Sequence, residues 1–454
     1  MSSTAPISLD YTLHDLYSLD NDGGPEITLL YYPLQLDCDG TTTPVKFIYQ
    51  YTLHAGPQRK ESSIPLAAKI VPQRYGFSAG KMPLVIPDFS SPSCQDLGSI
   101  PTHLDDAYRV FSQLRSDQKP ILSLAKSLRT LSLETGGQIA VLLPTDELSR
   151  LPHLIDPDIH YEILSKRGLA LSELPTPPSE VIDSVLDHAH KHDPTRLKDE
   201  ISRMIEPINK RKLPFMIKLP QSISGIGTAK VSTEVDRVHT KALLVTQLEG
   251  MLQQINASNH HLHPCSLVIQ DVIQGNAMAL SIFVTKKGRP IFIACCEQRF
   301  DEDGHWTGGS ISYREQAAFS KMYADISEKV AAFLHRKGYY GPAGVDVISD
   351  HFDNKQYIVD LNVRVTGTYH LGPLAGHFTR RGLFEATMVT WDFSCSRAAF
   401  EEVLKDEIQN GNVIINGWAH ESIRLSHGAI TIGGRDASDL ERLLANVSSL
   451  TISN

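Results

Sequence analysis

GPAGVDVISDHFDNKQYIVDLNVRVTGTYH, residues 341–370, is the stretch on which the reading of the fold turns. Two β-rich runs, Val345 to Ile348 and Gln356 to Val365, flank the polar turn SDHFDNK, which predicts a hairpin. In its second strand Asp360, Asn362 and Arg364 alternate and share one face, while Val359, Leu361, Val363 and Val365 take the other. A turn centred near Asp353 sets Asp346 opposite Asp360. Opposed residues on neighbouring strands have Cβ atoms about 4.5–5.5 Å apart, and two carboxylates there repel unless a cation lies between them. Asp346, Asp360 and the Asn362 amide are the hard oxygen donors that magnesium takes at a nucleotide. Arg364, one step further on that face, is placed to clamp a phosphoryl group. A solvent-facing strand alternates polar and apolar residues too. The glycine-containing TGTYHLGPLAG that follows, able to bring backbone close to a reacting group, favours a site.

Upstream, PFMIKLPQSISGIGTAKV places Lys218 at the end of a strand expected over Leu213 to Leu219. Ser222, Ser224, Gly225, Gly227 and Thr228 then form a loop able to aim backbone N–H groups at phosphates. The loop lacks the Lys-Ser or Lys-Thr pair of a P-loop and the glycine spacing of a dinucleotide fingerprint. Alone, it reads as readily as a hairpin turn with a snorkelling lysine.

Outward from these two stretches, runs at Ile27 to Tyr32, Val45 to Tyr51, Leu84 to Ile86 and Ile139 to Leu143 read as strands, and Asp105 to Leu131 as a helix. They predict an N-terminal α/β lobe. The text changes at Tyr161, where SKRGLALSELPTPPSEV ends a short helical run in a proline-rich turn. Beyond it come a helix over Pro194 to Lys210 and another capped by Ser232 or Thr233. Strands at Ser266 to Ile273, Leu280 to Val284 and Pro290 to Cys295 predict an antiparallel sheet. A helix from Tyr313 to Lys337, with Phe319, Met322, Ile326, Val330 and Phe333 on one face, should pack on it.

The 454 residues carry a net charge of −9, with 41% hydrophobic and 21% charged residues, which describes a globular protein of several lobes and gives no electrostatic case for nucleic acid. Six scattered cysteines make neither a zinc site nor a disulfide scaffold, and no run approaches the roughly 20 apolar residues of a membrane helix. The expectation is a cytoplasmic protein without a membrane partner. The histidines of DHAHKHD (His188, His190, His192) and NHHLHP (His260, His261, His263) read as solvated, and Cys295 and Cys296 as small buried thiols. Arg299 and Arg314 are further cations for phosphates or an anionic substrate, with a surface ion pair as their other role.

In the order of its elements, and above all in VDLNVRVTG, the chain resembles the ATP-grasp superfamily over residues 161–376. The resemblance implies an α/β (α+β) ATP-grasp fold, two α+β lobes gripping ATP behind an N-terminal α/β lobe. The implied divisions are 1–160 for that lobe, 161–272 for the small lobe with its glycine-loop lid, 273–395 for the large lobe with the metal-binding hairpin, and 396–454 for a C-terminal α/β segment packed on it. Carried over by position, Asp346, Asp360 and Asn362 look like the ligands of magnesium, two ions with manganese as a substitute. Arg364 looks like the arginine at the transferred phosphoryl. Lys166 and Lys218 resemble the two phosphate-contacting lysines, and Gln270, Asp271, Val272 and Ile273 the adenine hinge, with Val359 beneath the base. Two departures stand out: Asp360 where the family usually has Glu, and Ala277 near the position of a ribose-binding acid. The implied activity is an ATP-dependent carboxylate–amine ligase that forms an acyl phosphate with Lys218, Arg364 and Arg299 at the reacting groups. A kinase of the same architecture and a noncatalytic nucleotide-binding protein remain alternatives. The partners implied are a small carboxylate and an amine, and the oligomeric state, a homodimer included, stays open.

Overall fold

The computed structural model describes residues 6–21, 23–24, 26–31, 45–50, 63–87, 102–125, 131–133, 136–222, 227–300, 306–422 and 425–452. The fold is of the expected mixed α/β class, and the described residues form three sheets. The first is parallel, in the order β3-β2-β1-β4, from β1 (Ile27–Leu30), β2 (Pro83–Pro87), β3 (Ile121–Ala125) and β4 (Gln138–Val141). All four residues of β1 are buried, as the central strand of a sheet covered on both faces requires.

The second sheet is antiparallel, in the order β5-β8-β6-β7, from β5 (Ser179–Asp183), β6 (Phe215–Lys218), β7 (Thr228–Val231) and β8 (Ser266–Asp271). The helices Pro194–Lys210 and Glu234–Gln254 cover it, burying Met204, Ile208, Leu244 and Leu248 with Phe215, Ile217 and Val231. The sequence starts both helices cleanly. Asp193 caps the first before Pro194, and Thr233 caps the second in a capping box with Asp236.

The third sheet has eight strands in the order β13-β12-β9-β10-β11-β14-β16-β15. These are β9 (Ala277–Val284), β10 (Pro290–Phe300), β11 (Trp306–Ser312), β12 (Gly341–Ser349), β13 (Gln356–Asn362), β14 (Glu385–Phe393), β15 (Val413–Ser422) and β16 (Leu425–Gly434). The segment expected to pack on the large lobe therefore extends its sheet edgewise, through β16 on β14.

Three local expectations fail, each for a tertiary reason. The helix expected over residues 105–131 stops at Ser112, and residues 121–125 become β3, where Ile121 donates to the Met82 carbonyl just after Pro120 has broken any helical ladder. Residues 45–50 join no sheet. Gln50 instead exchanges hydrogen bonds with Gln221 and donates to the Pro264 carbonyl, which spends the segment on the second sheet's loops. The long helix of 313–337 is two, Gln316–Met322 and Ala324–Arg336, rephased at Tyr323. Tyr323, Ile326 and Val330 face the core, and Met322 turns outward.

Candidate active site

The hairpin is β12–β13, and its register places Asp346 directly opposite Asp360. Between Asp346 and Val347 the register shifts by one, leaving Val359 as the extra residue of a bulge. The bulge alters the expected faces. Ile358, Leu361 and Val363 are buried, whereas Val359 lies half-buried with Asp360. Both of its flanks are tied to the smaller sheet's lobe: Ile358 N–H donates to the Pro175 carbonyl at 2.7 Å, and Lys218 Nζ donates to the Val359 carbonyl at 2.7 Å.

Lys166 reaches the same place from the start of a short helix, Lys166–Ala170, whose N-cap is Ser165. The neighbouring Arg167 grips Asp183 of β5 with two hydrogen bonds of 2.7 Å, and Lys166 N–H donates to the Pro220 carbonyl. So fixed, Lys166 Nζ lies 2.5 Å from Asp360 Oδ1. Two lysines from one lobe thus meet two carboxylates from another.

The electrostatics follow from that crowding. Burial pushes the Asp346 carboxyl up to about 7, the Asp360 charge pushes the same way, and a hydrogen bond from Gln298 with the charges of Lys166 and Lys218 works against both. Burial opposes ionisation of Asp360 too, but the charge and hydrogen bond of Lys166 outweigh it and hold that carboxyl below its usual range. Asp360 nevertheless keeps 25% of its side-chain surface open, so it is reachable from solvent rather than sealed in the core. Burial brings the Lys218 ammonium down to about 8, with Asp360 resisting and Lys166 assisting.

Gln298 is a site residue that the sequence did not reveal. Asp346 opposes Ala279, and Ala279 opposes Cys296, so all three share a face with Gln298 two residues along β10. Only knowing that β9 lies between β12 and β10 brings Gln298 to Asp346. The same parity turns Arg299 to the opposite face, where it approaches Glu441 and Ser310; the structure does not bring it to the carboxylate pair. Arg314 is also elsewhere, over the Phe384 ring at 4.1 Å.

Arg364 donates to the Asn362 Oδ1 at 3.1 Å. A cation bound at Asp346 and Asp360 would share Asn362 with it. Among the described residues no cluster of three or more His, Cys, Asp or Glu side chains is placed to hold a metal alone. Two carboxylates and an amide fit magnesium bound together with nucleotide phosphates, because that ion needs only one or two carboxylates and keeps phosphate and water ligands.

At the hinge, Gln270 is buried and donates to Ser179 Oγ, Asp271 pairs with Arg211, and Val272 and Ile273 are half-buried past the end of β8. Ala277 and Asn276 are exposed beside it. Gly227 closes the base of the glycine loop, its carbonyl accepting from Leu219 N–H and its Cα pressed on Ser222, where a Cβ would meet Ser222 at 2.2 Å. Ser224 and Gly225 lie outside the described residues. Cys295 and Cys296 are buried, with burial raising both thiols, Cys296 to about 12, which makes poor nucleophiles. His188 stacks on His260, while His261 and His263 face Asp158 and Asp183.

Residues 217–368 match the ATP-grasp domain family, and this segment is an ATP-grasp domain. No curated protein matches the chain. Solved structures similar to it include an N5-carboxyaminoimidazole ribonucleotide synthetase from Thermus thermophilus, 16% identical, covering 86% of this chain and 97% of that one with a TM-score of 0.47. An N5-carboxyaminoimidazole synthetase from Staphylococcus aureus is 10% identical, covering 95% and 98%, with a TM-score of 0.47. A phosphoribosylamine–glycine ligase from Thermotoga maritima is 13% identical, covering 74% and 88%, with a TM-score of 0.47. At such identities and scores, the assignment rests on the domain match together with the geometry of the site.

Proposed function

We propose that this protein is an ATP- and magnesium-dependent ligase that activates a carboxylate as an acyl phosphate and joins it to an amine, releasing ADP and phosphate. The observation that carries the reading is the meeting of Lys166 and Lys218 with Asp346 and Asp360, at 2.5 Å for Lys166 and Asp360, inside and beside an ATP-grasp domain. Asp346, Asp360 and Asn362 would hold magnesium, which when bound supplies charge neutralisation along the phosphates. Lys166 and Lys218 would then face the phosphates, with Gln270 to Ile273 at the adenine and Val359 beneath it. Attack of the substrate carboxylate on the γ-phosphorus forms the acyl phosphate and ADP. Arg364 offsets the charge on the transferring group, and the amine displaces phosphate. No general base is assigned, because a neutral amine attacks an acyl phosphate unaided.

The test is ADP release with magnesium and ATP across pools of amino acids and small carboxylic acids, beside the Asp360→Ala variant, with mass spectrometry of any active pool. Stimulated, Asp360-dependent release with a condensed product is the expected result. A stable phosphate ester would mean a kinase. A second reading, nucleotide binding without turnover, is favoured by one observation: Asp360 is a methylene shorter than the family's glutamate and is already engaged by Lys166. It predicts ATP binding with silence in every pool.

A further inference from the structure

The N-terminal lobe enters the site through the end of the helix Ser63–Gly76. Arg74 Nη2 donates to the Tyr75 hydroxyl at 2.6 Å, and the Arg364 guanidinium, from the hairpin side, reaches the same oxygen. Tyr75 is 8% exposed. Arg74 also lies over the Trp306 ring at 5.6 Å, and that indole covers the turn after Arg364 so closely that a Cβ on Gly367 would meet it at 2.3 Å.

Among the described residues, no carboxylate compensates the charge in this cluster. Among the described residues, the hydrogen-bond partners of the two guanidiniums are the Tyr75 hydroxyl, the Val365 carbonyl and the Asn362 amide, none of them anionic. Arg74 Nε is buried and has no hydrogen-bond partner among the described residues. A buried donor without a partner is costly and two guanidiniums crowded at one phenol repel, so the arrangement is short of one anion. A planar oxyanion accepting from both forks would supply the missing acceptor and charge together.

We propose that Arg74, Tyr75 and Arg364 form an oxyanion-binding site, walled by Trp306, that seats the anionic group of the substrate beside the phosphoryl-transfer centre. This rests on the ligase reading for its place in the reaction, but not for its chemistry. Arg74 and Tyr75 bind the anion, and Arg364 links it to the Asn362 side of the hairpin. The ligand class is a small molecule bearing a carboxylate or a phosphate.

The test is titration of the full chain with acetate and, separately, with inorganic phosphate at constant ionic strength, in the presence of a non-hydrolysable ATP analogue and magnesium. Tryptophan emission is the readout, since Trp306 lies against Arg74. A saturable change is expected, and the tighter of the two ions names the group recognised. Arg74→Gln should weaken binding about 10-fold or more, the loss of one charge-assisted hydrogen bond, and Tyr75→Phe a few-fold. No saturable change in the wild type would overturn the proposal, as would wild-type affinity in an Arg74→Gln protein with an unaltered melt. If Arg74→Gln does not fold, Arg74→Lys carries the test, with the charge kept, the fork lost and intermediate weakening expected. The two proposals fail separately. Arg74-dependent anion binding without ADP release in any pool sinks the ligase and leaves the site. Asp360-dependent ADP release whose KM for the carboxylate ignores Arg74→Gln sinks the site and leaves the ligase.

Discussion

Lys166 and Asp360 face one another 2.5 Å apart, and removing either strands a charge in crowded surroundings. Lys166→Met is expected to lower stimulated ADP release by about 100-fold or more, as loss of a phosphate-facing charge does, while the far-UV spectrum stays native. His160 predicts a stability effect instead. It is buried, its Nε2 lies 2.8 Å from the Val363 carbonyl as a donor, and burial brings its pKa from 6.5 to about 4. The folded state binds fewer protons than the unfolded one in that window. Its stabilisation is therefore complete above pH 6.5 and is lost as pH falls to about 4, by up to about 3 kcal/mol. Urea melts across that range should show the slope, and His160→Gln should flatten it. At this scale the carboxylate pair was legible, because strand alternation and a symmetric turn locate both partners within one short stretch. Gln298, Arg74 and Tyr75 were not, since each arrives from an element whose neighbours in space no local pattern records.

The short helix Lys166–Ala170 and the β13 bulge are the two elements that aim the site. Arg167 anchors that helix to Asp183, which Ser266 also holds. Asp183→Ala should loosen Lys166 without touching the carboxylates. The expected outcome is a KM for ATP raised about 10-fold, a loss of roughly 1.4 kcal/mol, with a smaller change in kcat, read by steady-state kinetics. The bulge could not be read beforehand. Strict alternation placed Val359 with the buried valines, whereas the extra residue sets it beside Asp360 and hands its carbonyl to Lys218. The two covering helices, by contrast, start where the sequence puts them, at Pro194 and after Thr233, one of the two caps offered, because a cap is satisfied by the backbone next to it. The helix expected over residues 105–131 failed where pairing with β2 claimed its second half.

Across the whole molecule, the eight-stranded sheet joins the hairpin to the C-terminal strands, and those strands in turn hold the N-terminal lobe. Gln73 exchanges two hydrogen bonds with the Trp418 backbone, and the buried Arg397 pairs with Asp106 and Glu401. Arg397→Met would leave Asp106 buried with only His420, 3.8 Å away, to face its charge, a loss of roughly 3 kcal/mol measurable by urea unfolding. The same anchoring keeps Arg74 and Tyr75 over the site. The mixed α/β class was legible from strand spacing, but not the edgewise continuation of the sheet through β14 and β16. The central claim, that a carboxylate is activated by phosphoryl transfer, is tested most directly by isotope transfer. Carboxylic acids labelled with 18O in the carboxylate are incubated with ATP, magnesium and an amine pool, and the released phosphate is examined by mass spectrometry. An acyl phosphate predicts one 18O in each phosphate formed, at the rate of ADP release and lost in Asp360→Ala. ADP formed with unlabelled phosphate, or with no phosphate at all, would contradict it.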